Sequence, residues 1–466
     1  MEHRPQATFA FVALGCAKNL VDSERMLGGL ASDGFVLCAE PEGADFVVVN
    51  TCGFIEAARQ ESLGVLRELA ELKRQGRIGA LFVAGCLAER LREQLLAEVP
   101  EIDAMVGVFS RDEIVRVVRR HMEGLLEQRT LFRPAPSRPL DDRVRLRITP
   151  HHFAYLKISE GCDRLCTFCA IPKMRGKHVS KPVEAVLAEA EELVADGVRE
   201  LIVVAQDTTY YGMDLYGRPA LAELLQRLEQ LEQLRWIRLL YCYPQHFTPE
   251  LLELLSSSSK ILPYLDIPLQ HINDRILRRM KRQVTRAEIL ELIERLRRTI
   301  PGLVLRTTLI VGFPGETERE FEELCRFVEQ ARFERLGVFE YSLEPDTPAA
   351  RLPGHVDAAT KRRRRETLMT LQQRIAFQWS ARQVGRELEV VIDRPGERAG
   401  WWVGRSYADA PEIDGLVFLH SRSLRAGQFL RARITDWDGY DLFAEPVPAE
   451  LEASEATSKP HGARSS

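Results

Sequence analysis

The hydrophobic pattern changes its period along the chain and divides it into three stretches. From residue 7 to 123, apolar runs at 8–14, 46–50 and 80–84 hold too few polar positions for half-exposed strands and predict strands buried on both faces. Each is followed by a stretch of helical period, at 21–30, 55–72 and 87–96. Such alternation predicts a parallel α/β sheet. From 148 to 380 it resumes with six strand candidates, at 155–158, 200–205, 236–240, 264–267, 303–311 and 336–341. Six units suffice for a partial (β/α)6 barrel, short of the eight that close one. From 381 to 449 short alternating strands, at 388–392, 401–404, 416–419, 429–434 and 440–443, are separated by Pro-Gly, Asp-Gly and Ala-Gly. That is the pattern of a small antiparallel β-barrel.

The remaining segments read as connectors. Residues 124–147 carry Pro134, Pro136, Pro139, Arg143, Arg145 and Arg147 without sustained period, which predicts a solvated linker. Residues 450–466 have few apolar side chains and predict a disordered tail. The basic run from Lys361 to Arg365 predicts the solvated face of a long helix.

Composition adds limits. With 45% hydrophobic and 28% charged residues among 466, the chain has a globular make-up and room for several cores. A formal net charge of −4 gives no overall pull toward nucleic acid. The polar opening lacks a signal-peptide core and no apolar run is long enough to span a membrane. A cytoplasmic location without a membrane partner is expected.

Nine cysteines in a chain with no signal sequence argue for metal ligands and a few buried thiols rather than a disulfide framework. Cys162, Cys166 and Cys169 fall within the run Gly-Cys-Asp-Arg-Leu-Cys-Thr-Phe-Cys-Ala at 161–170. Soft thiolates at this density suit an iron–sulfur cluster or zinc. A [4Fe–4S] cube on three cysteines keeps one iron free for a non-protein ligand. Structural zinc is the alternative, with His178 the nearest candidate for the fourth ligand that zinc normally takes. Three more cysteines, Cys16, Cys52 and Cys86, each follow one of the first three strands. Ligand sites in open parallel sheets lie at the carboxyl ends of the strands, so this repeated placement predicts a second three-cysteine site.

The spacing Cys-x3-Cys-x2-Cys resembles the cluster motif of the radical S-adenosylmethionine (SAM) enzymes. All three stretches together resemble the methylthiotransferase branch of that superfamily: an N-terminal three-cysteine domain (7–123), a linker (124–147), a radical SAM core (148–380) and a TRAM β-barrel (381–449). The matching residues are Gly-Cys-Ala-Lys-Asn-Leu-Val-Asp-Ser-Glu at 15–24, Val-Asn-Thr-Cys-Gly-Phe-Ile at 49–55, the cysteine run at 161–172 and Gln-Asp-Thr-Thr-Tyr-Tyr-Gly at 206–212. Within the branch they are most similar to the RimO family, which methylthiolates an aspartate of ribosomal protein twelve of the small subunit.

The resemblance implies two [4Fe–4S] clusters and SAM as both radical source and methyl donor. Cys162, Cys166 and Cys169 would hold the cluster that cleaves SAM. Cys16, Cys52 and Cys86 would hold an auxiliary cluster carrying the sulfur. Gly312 and Glu316, in Val-Gly-Phe-Pro-Gly-Glu-Thr at 311–317, would contact SAM. The partner would be the ribosomal protein, with electron and sulfur donors unidentified. Cys38, Cys242 and Cys325 match no ligand position of the family and read as core thiols.

Two rivals remain. A tRNA methylthiotransferase of the MiaB type would share the fold, but that group typically carries Gly-Cys-Gln-Met-Asn at the first site and Gly-Cys-Asn at the second. The barrel here has nine Arg, no Lys and eleven Asp plus Glu, whereas a tRNA grip should be basic; tRNA is not the expected substrate. Asp436, Asp438 and Asp441 are candidates for pairing with a basic partner, although Asp438-Gly439 is equally a hairpin signal. The second rival, a non-catalytic zinc or iron–sulfur module, would not require an α/β core of this size.

Overall fold

The computed structural model describes residues 7–447; the predicted disordered tail lies outside them. The first sheet holds β1 (Thr8–Ala13), β2 (Val36–Leu37), β3 (Phe46–Thr51), β4 (Ala80–Gly85), β5 (Ala104–Val106) and β6 (Thr130–Leu131). All its pairings are parallel, in the order β2-β1-β3-β4-β5-β6. The predicted strands sit at its centre. Their continuous apolar character follows from layers on both faces: Val47 and Val49 of β3 enter one core, Phe46 and Val48 the other. The helix predicted at 87–96 is two short helices, Cys86–Leu91 and Glu93–Glu98, broken at Arg92 where φ is +49°. The apolar spacing runs on through Leu91 and Leu95, so periodicity cannot show the break.

The central sheet begins with β7 (Phe153–Lys157). A two-stranded ribbon, β8 (Ser159–Glu160) with β9 (Val179–Ser180), then ties together both ends of the cysteine-bearing loop. The sheet continues with β10 (Glu200–Val204), β11 (Trp236–Leu239), β12 (Ile261–Asp266), β13 (Val304–Val311) and β14 (Arg335–Glu340). Its order is β14-β13-β12-β11-β10-β7, parallel throughout. Helices cover one face. Six strands do not close, so the concave face needs another cover. Val21 of the helix Ala17–Ser32 and Val391, Ala408 and Ala410 of the third unit pack there against Tyr155, Ile202 and Tyr264.

That third unit is a closed barrel of β15 (Glu387–Pro395), β16 (Trp401–Ser406), β17 (Val417–His420), β18 (Phe429–Asp438) and β19 (Asp441–Pro446), in the order β15-β16-β17-β19-β18. Four of its pairings are antiparallel, but β17 and β19 run parallel and close it. Asp438 faces Asp441 across a hairpin with Gly439 at φ +62°, and the Asp441 carboxylate accepts the Leu416 backbone N–H at 2.8 Å. Asp438 and Asp441 thus flank the hairpin turn, and the Asp441 carboxylate also fastens the residue before β17.

Two basic segments depart from their solvated reading. Arg145 and Arg147 are buried side chains: Arg145 lies between Glu24 and Glu189, and Arg147 pairs with Asp196 at 2.6 Å. Asp142 beside them is fully buried and pairs with Arg111 and Lys181. This stretch is pinned because carboxylates on helices of both flanking units meet it: Glu24 of Ala17–Ser32, and Glu189 and Asp196 within and just after Val183–Ala195. In the long helix Ala358–Ala381, Arg362, Arg363 and Arg365 are exposed as expected, whereas Arg364 is buried against Glu316 at 3.0 Å.

A buried ionic network locks the first sheet to the central one. Asp22, Glu24, Asp142, Glu160 and Glu189 interleave with Arg111, Arg145, Lys157, Arg175 and Lys181, five charges of each sign. Equal and alternating charge lets such a cluster be desolvated at all. A second clamp joins Arg59 and Arg90 of the first unit to buried Glu344. Among the described residues no helix is long and apolar enough to cross a membrane.

Candidate functional site

Between the first and central sheets lies a cavity of about 440 Å³ whose lining includes Cys16, Cys52, Cys86, Cys162, Cys166 and Cys169. All six candidate thiols therefore face one space. Cys16, Cys52 and Cys86 arrive from the carboxyl ends of β1, β3 and β4. Glycine makes two of these turns possible. Gly15 has φ +99° and a side chain there would sit 2.9 Å from the Cys52 Cβ; Gly85 has φ +96° and would meet Asn50 Oδ1 at 2.2 Å. The other triad sits on the single loop tied off by β8 and β9.

Each sulfur of the loop triad has an N–H donor near it. The Arg164 backbone N–H lies 3.4 Å from Cys162 Sγ, the Ile171 backbone N–H 3.4 Å from Cys169 Sγ, and Arg282 Nη1 3.7 Å from Cys166 Sγ. In the other triad Cys86 Sγ donates to Asn19 Oδ1 at 3.5 Å, and Asn19 is held by Nδ2 on the Leu14 and Thr51 carbonyls at 2.9 Å. Arg175 Nη2, from the central unit, donates to the same Asn19 Oδ1 at 2.6 Å and to Asp22 at 2.8 Å. The residue six positions after Cys169 thus reaches beneath the partner triad.

Burial pushes Cys86 and Cys162 up to about 12 and also raises Cys52 and Cys169. Cys16, an exposed residue whose thiol lines the cavity, differs: the surrounding protein alone would raise it by desolvation, but the charges of Lys18 and Arg175 and backbone N–H groups bring it below the ordinary thiol range. Lys18 is lowered by burial, against the opposing charges of Cys16 and Asp266. Mostly protonated thiols mean that a metal group must displace protons to bind.

The donor chemistry fits iron–sulfur clusters. Six thiols converge with no histidine in the lining, and the walls between them include Phe54, Phe168, Ile171, Met174 and Phe339. His178, the candidate fourth zinc ligand, is buried elsewhere, with Nε2 2.9 Å from Ser180 Oγ and its ring edge-on to Tyr210. No group of three His, Cys, Asp or Glu among the described residues closes on one metal ion; thiolates of a cube bind different irons and need not. Arg164 Nη2, Gln270 Oε1 and Arg282 Nε are buried polar atoms of lining residues without hydrogen-bond partners.

Gly312 and Glu316 are placed differently from the expectation. Neither lines this cavity. The Glu316 carboxylate accepts the Gly312 and Phe313 backbone N–H groups at 2.7 and 3.2 Å and the Arg364 guanidinium at 3.0 Å, so it braces its own turn. Cys242, read as a core thiol, is buried but contributes to the lining. Sequence reasoning also passed over Lys18, Asn19, Arg175, Tyr241, Gln270 and Arg282. Tyr241 and Gln270 sit at φ +60° and +73°, and strained non-glycine backbone of this kind collects at functional sites. The one available signal was proximity: Lys18 and Asn19 lie inside the run at 15–24.

Three family models match the chain: the Radical SAM superfamily at residues 156–328, Uncharacterized protein family UPF0004 at 8–107 and the TRAM domain at 384–447. A curated relative from Lachnoclostridium phytofermentans, named ribosomal protein uS12 methylthiotransferase RimO, is 46% identical over 93% of this chain and 98% of its own. A relative of the same name from Pelotomaculum thermopropionicum is 48% identical over 94% and 98%. Among solved structures, the radical SAM methyltransferase TsrM from Kitasatospora setae, with cobalamin and a [4Fe–4S] cluster bound, aligns at TM-score 0.57 and 15% identity over 74% of both chains. A second TsrM structure, with tryptophan and a SAM analogue, aligns over 97% of this chain and 88% of its own at TM-score 0.55 and 14% identity. Those likenesses speak for the fold.

Proposed function

The chain belongs to the RimO family of radical SAM methylthiotransferases, and on that premise we infer that it adds a methylthio group to the β-carbon of an aspartate in ribosomal protein uS12. The observation that carries the reading is the convergence of two cysteine triads on one cavity. Cys162, Cys166 and Cys169 would hold the SAM-cleaving [4Fe–4S] cluster, and Cys16, Cys52 and Cys86 the auxiliary one. When bound, these clusters and SAM supply the electron, the hydrogen-abstracting radical, the sulfur and the methyl group, which no side-chain acid or base could provide at an unactivated C–H bond.

The chain's own residues hold and shield. N–H donors at Cys162, Cys166 and Cys169 stabilise thiolate charge. Arg175 and Lys18 place positive charge against Cys16. Phe54, Phe339 and Ile413 form an exposed apolar rim on the cavity, which a bound protein substrate would cover, excluding water from a reactive intermediate. Arg175 and Asn19 fix the two triads relative to each other, so that hydrogen removal and sulfur delivery address one bound carbon.

The units divide as 7–123, 148–380 and 381–449 about a linker at 124–147, and the reading places the enzyme in the cytoplasm, where its protein substrate is made. Electron and sulfur donors are not assigned. The test incubates anaerobically reconstituted enzyme with SAM, a reductant and either purified uS12 or bulk tRNA, followed by mass spectrometry. A mass gain on one uS12 aspartate is expected; modified tRNA with untouched uS12 would overturn the reading in favour of the MiaB type.

A further inference from the structure

The cavity lining carries five cationic side chains, and four of them are already engaged. Arg164 pairs with Asp207 at 2.8 Å, Arg175 with Asp22 and Glu160 at 2.8 Å, and Arg306 with Asp266 at 2.8 Å. Arg282 donates to the Pro268 carbonyl at 2.6 Å and approaches Cys166. Lys18 differs. Among the described residues its ammonium makes no hydrogen bond or carboxylate ion pair, although the residue is only 5% exposed; the opposing charges it feels come from the Cys16 thiol and from Asp266, which is already paired with Arg306. Its ammonium lies 3.2 Å from the centroid of the Tyr241 ring, which belongs to the opposite wall. A ring face compensates only part of the hydration an ammonium gives up, and its donors still call for an anion.

Its position says which anion. Lys18 stands two residues after Cys16, on the sulfur-delivering side, and its head reaches across to the central unit. In an aspartate the β-carbon is bonded directly to the carboxylate carbon, so whatever grips the carboxylate fixes the acceptor carbon one bond away. We propose that Lys18 anchors the carboxylate of the substrate aspartate, setting its β-carbon between the two cysteine triads. The proposal rests on the aspartate-modifying function above. It gives the enzyme a means of selecting Asp over the isosteric Asn: the ammonium offers donors to both, but meets a full opposite charge only in Asp.

The test is a double-mutant cycle on the reconstituted holoenzyme with SAM present. Fluorescent peptides of the uS12 target loop, with the native Asp or with Asn in its place, are titrated against wild type, Lys18→Met and Lys18→Arg. Met keeps the length and apolar stem without the charge; Arg restores the charge. Wild type should bind the Asp peptide about ten- to a hundred-fold more tightly than the Asn peptide, the range of one charge-assisted hydrogen bond. Lys18→Met should bring that ratio near one, and Lys18→Arg should recover most of it, with iron content unchanged in all three.

An unchanged Asp/Asn ratio in Lys18→Met overturns the anchor, as does a wild type that does not discriminate, whatever the variants do. Loss of half the iron in Lys18→Met also overturns it, by showing that the charge Lys18 places against Cys16 is what retains that cluster and that any lost discrimination is secondary. Turnover of the Asp peptide alongside any of these leaves the proposed function standing. A wild type that ignores both peptides and modifies tRNA overturns function and anchor together.

Discussion

The two cysteine triads face the same cavity but are built in opposite ways. Cys162, Cys166 and Cys169 lie on one loop whose ends are tied by the ribbon β8–β9, so local chain geometry brings them together. Cys16, Cys52 and Cys86 meet only because β1, β3 and β4 are in parallel register. The first triad is a motif; the second is a property of a folded sheet. The first should therefore tolerate strain in the fold better than the second, and the second should report on the integrity of its unit.

The sharpest way to break this contrast is to remove one ligand from each triad. Cys166→Ala should abolish 5′-deoxyadenosine formation from SAM, measured by chromatography, because a methyl group cannot anchor iron. Turnover at the wild-type rate would defeat the assignment of the loop triad. Cys52→Ala should abolish methylthiolation while SAM cleavage continues, and iron should fall from about eight to about four per chain. Full methylthiolation by that variant would collapse the two sites into one.

A smaller effect addresses the join between them. Arg175→Met leaves Asp22 and Glu160 buried with fewer partners and should lower stability by about 3–5 kcal/mol in denaturant unfolding. Arg363→Ala, removing an exposed pair with Glu318, should leave the denaturation midpoint nearly unchanged. Equal losses for the two would mean that the network does not lock the units.

The smallest effect is a pH dependence. Burial alone would raise Asp22, Asp142 and Glu160, but the surrounding Arg111, Lys157, Arg175 and Lys181 outweigh it and hold all three below the usual carboxylate range. A folded value below the unfolded one gives stability that is complete above the ordinary range, near pH 4, and is lost as pH falls through the lowered values. Below about pH 4 the denaturation midpoint should decline as these three carboxylates protonate, with protease cleavage between residues 124 and 147 rising in step; between pH 7 and 5 the raised Glu316 and Glu24 act in the opposite sense, adding stability as they protonate. A midpoint insensitive to acid would remove these carboxylates from the account.

The same contrast explains what was legible in the sequence. The strands at 46–50 and 80–84 were readable because burial on both faces leaves an unbroken apolar run, and the loop triad because its spacing is local. The second triad became readable once the strands were placed, since all three thiols occupy equivalent strand ends. The seam was not readable. Nothing about Arg145 or Arg175 in the sequence distinguishes a buried guanidinium from a solvated one; that depends on Glu24, Glu189 and Asp22 arriving from distant segments. Glu316 shows a related difficulty: in sequence, a carboxylate beside a glycine turn looks the same whether it faces a ligand or accepts the turn's own N–H groups, as it does in this structure.

The five-and-five network also sets an order of biogenesis. Asp22 and the thiols of Cys16, Cys52 and Cys86 leave the ribosome before Lys157, Arg175 and Lys181 have been added, an interval on the order of ten seconds at ordinary elongation rates. Through that interval Asp22 has only Arg111 of its own unit to pair with and Val21 stays uncovered, because Lys157, Arg175 and the central sheet do not yet exist. Docking of the central unit then buries the charges and brings the thiols onto one cavity in one event. The seam is thus an assembly checkpoint: a chain stalled before residue 175 presents its first three cysteines on an open surface, where a cluster-delivery factor or an oxidant can reach them.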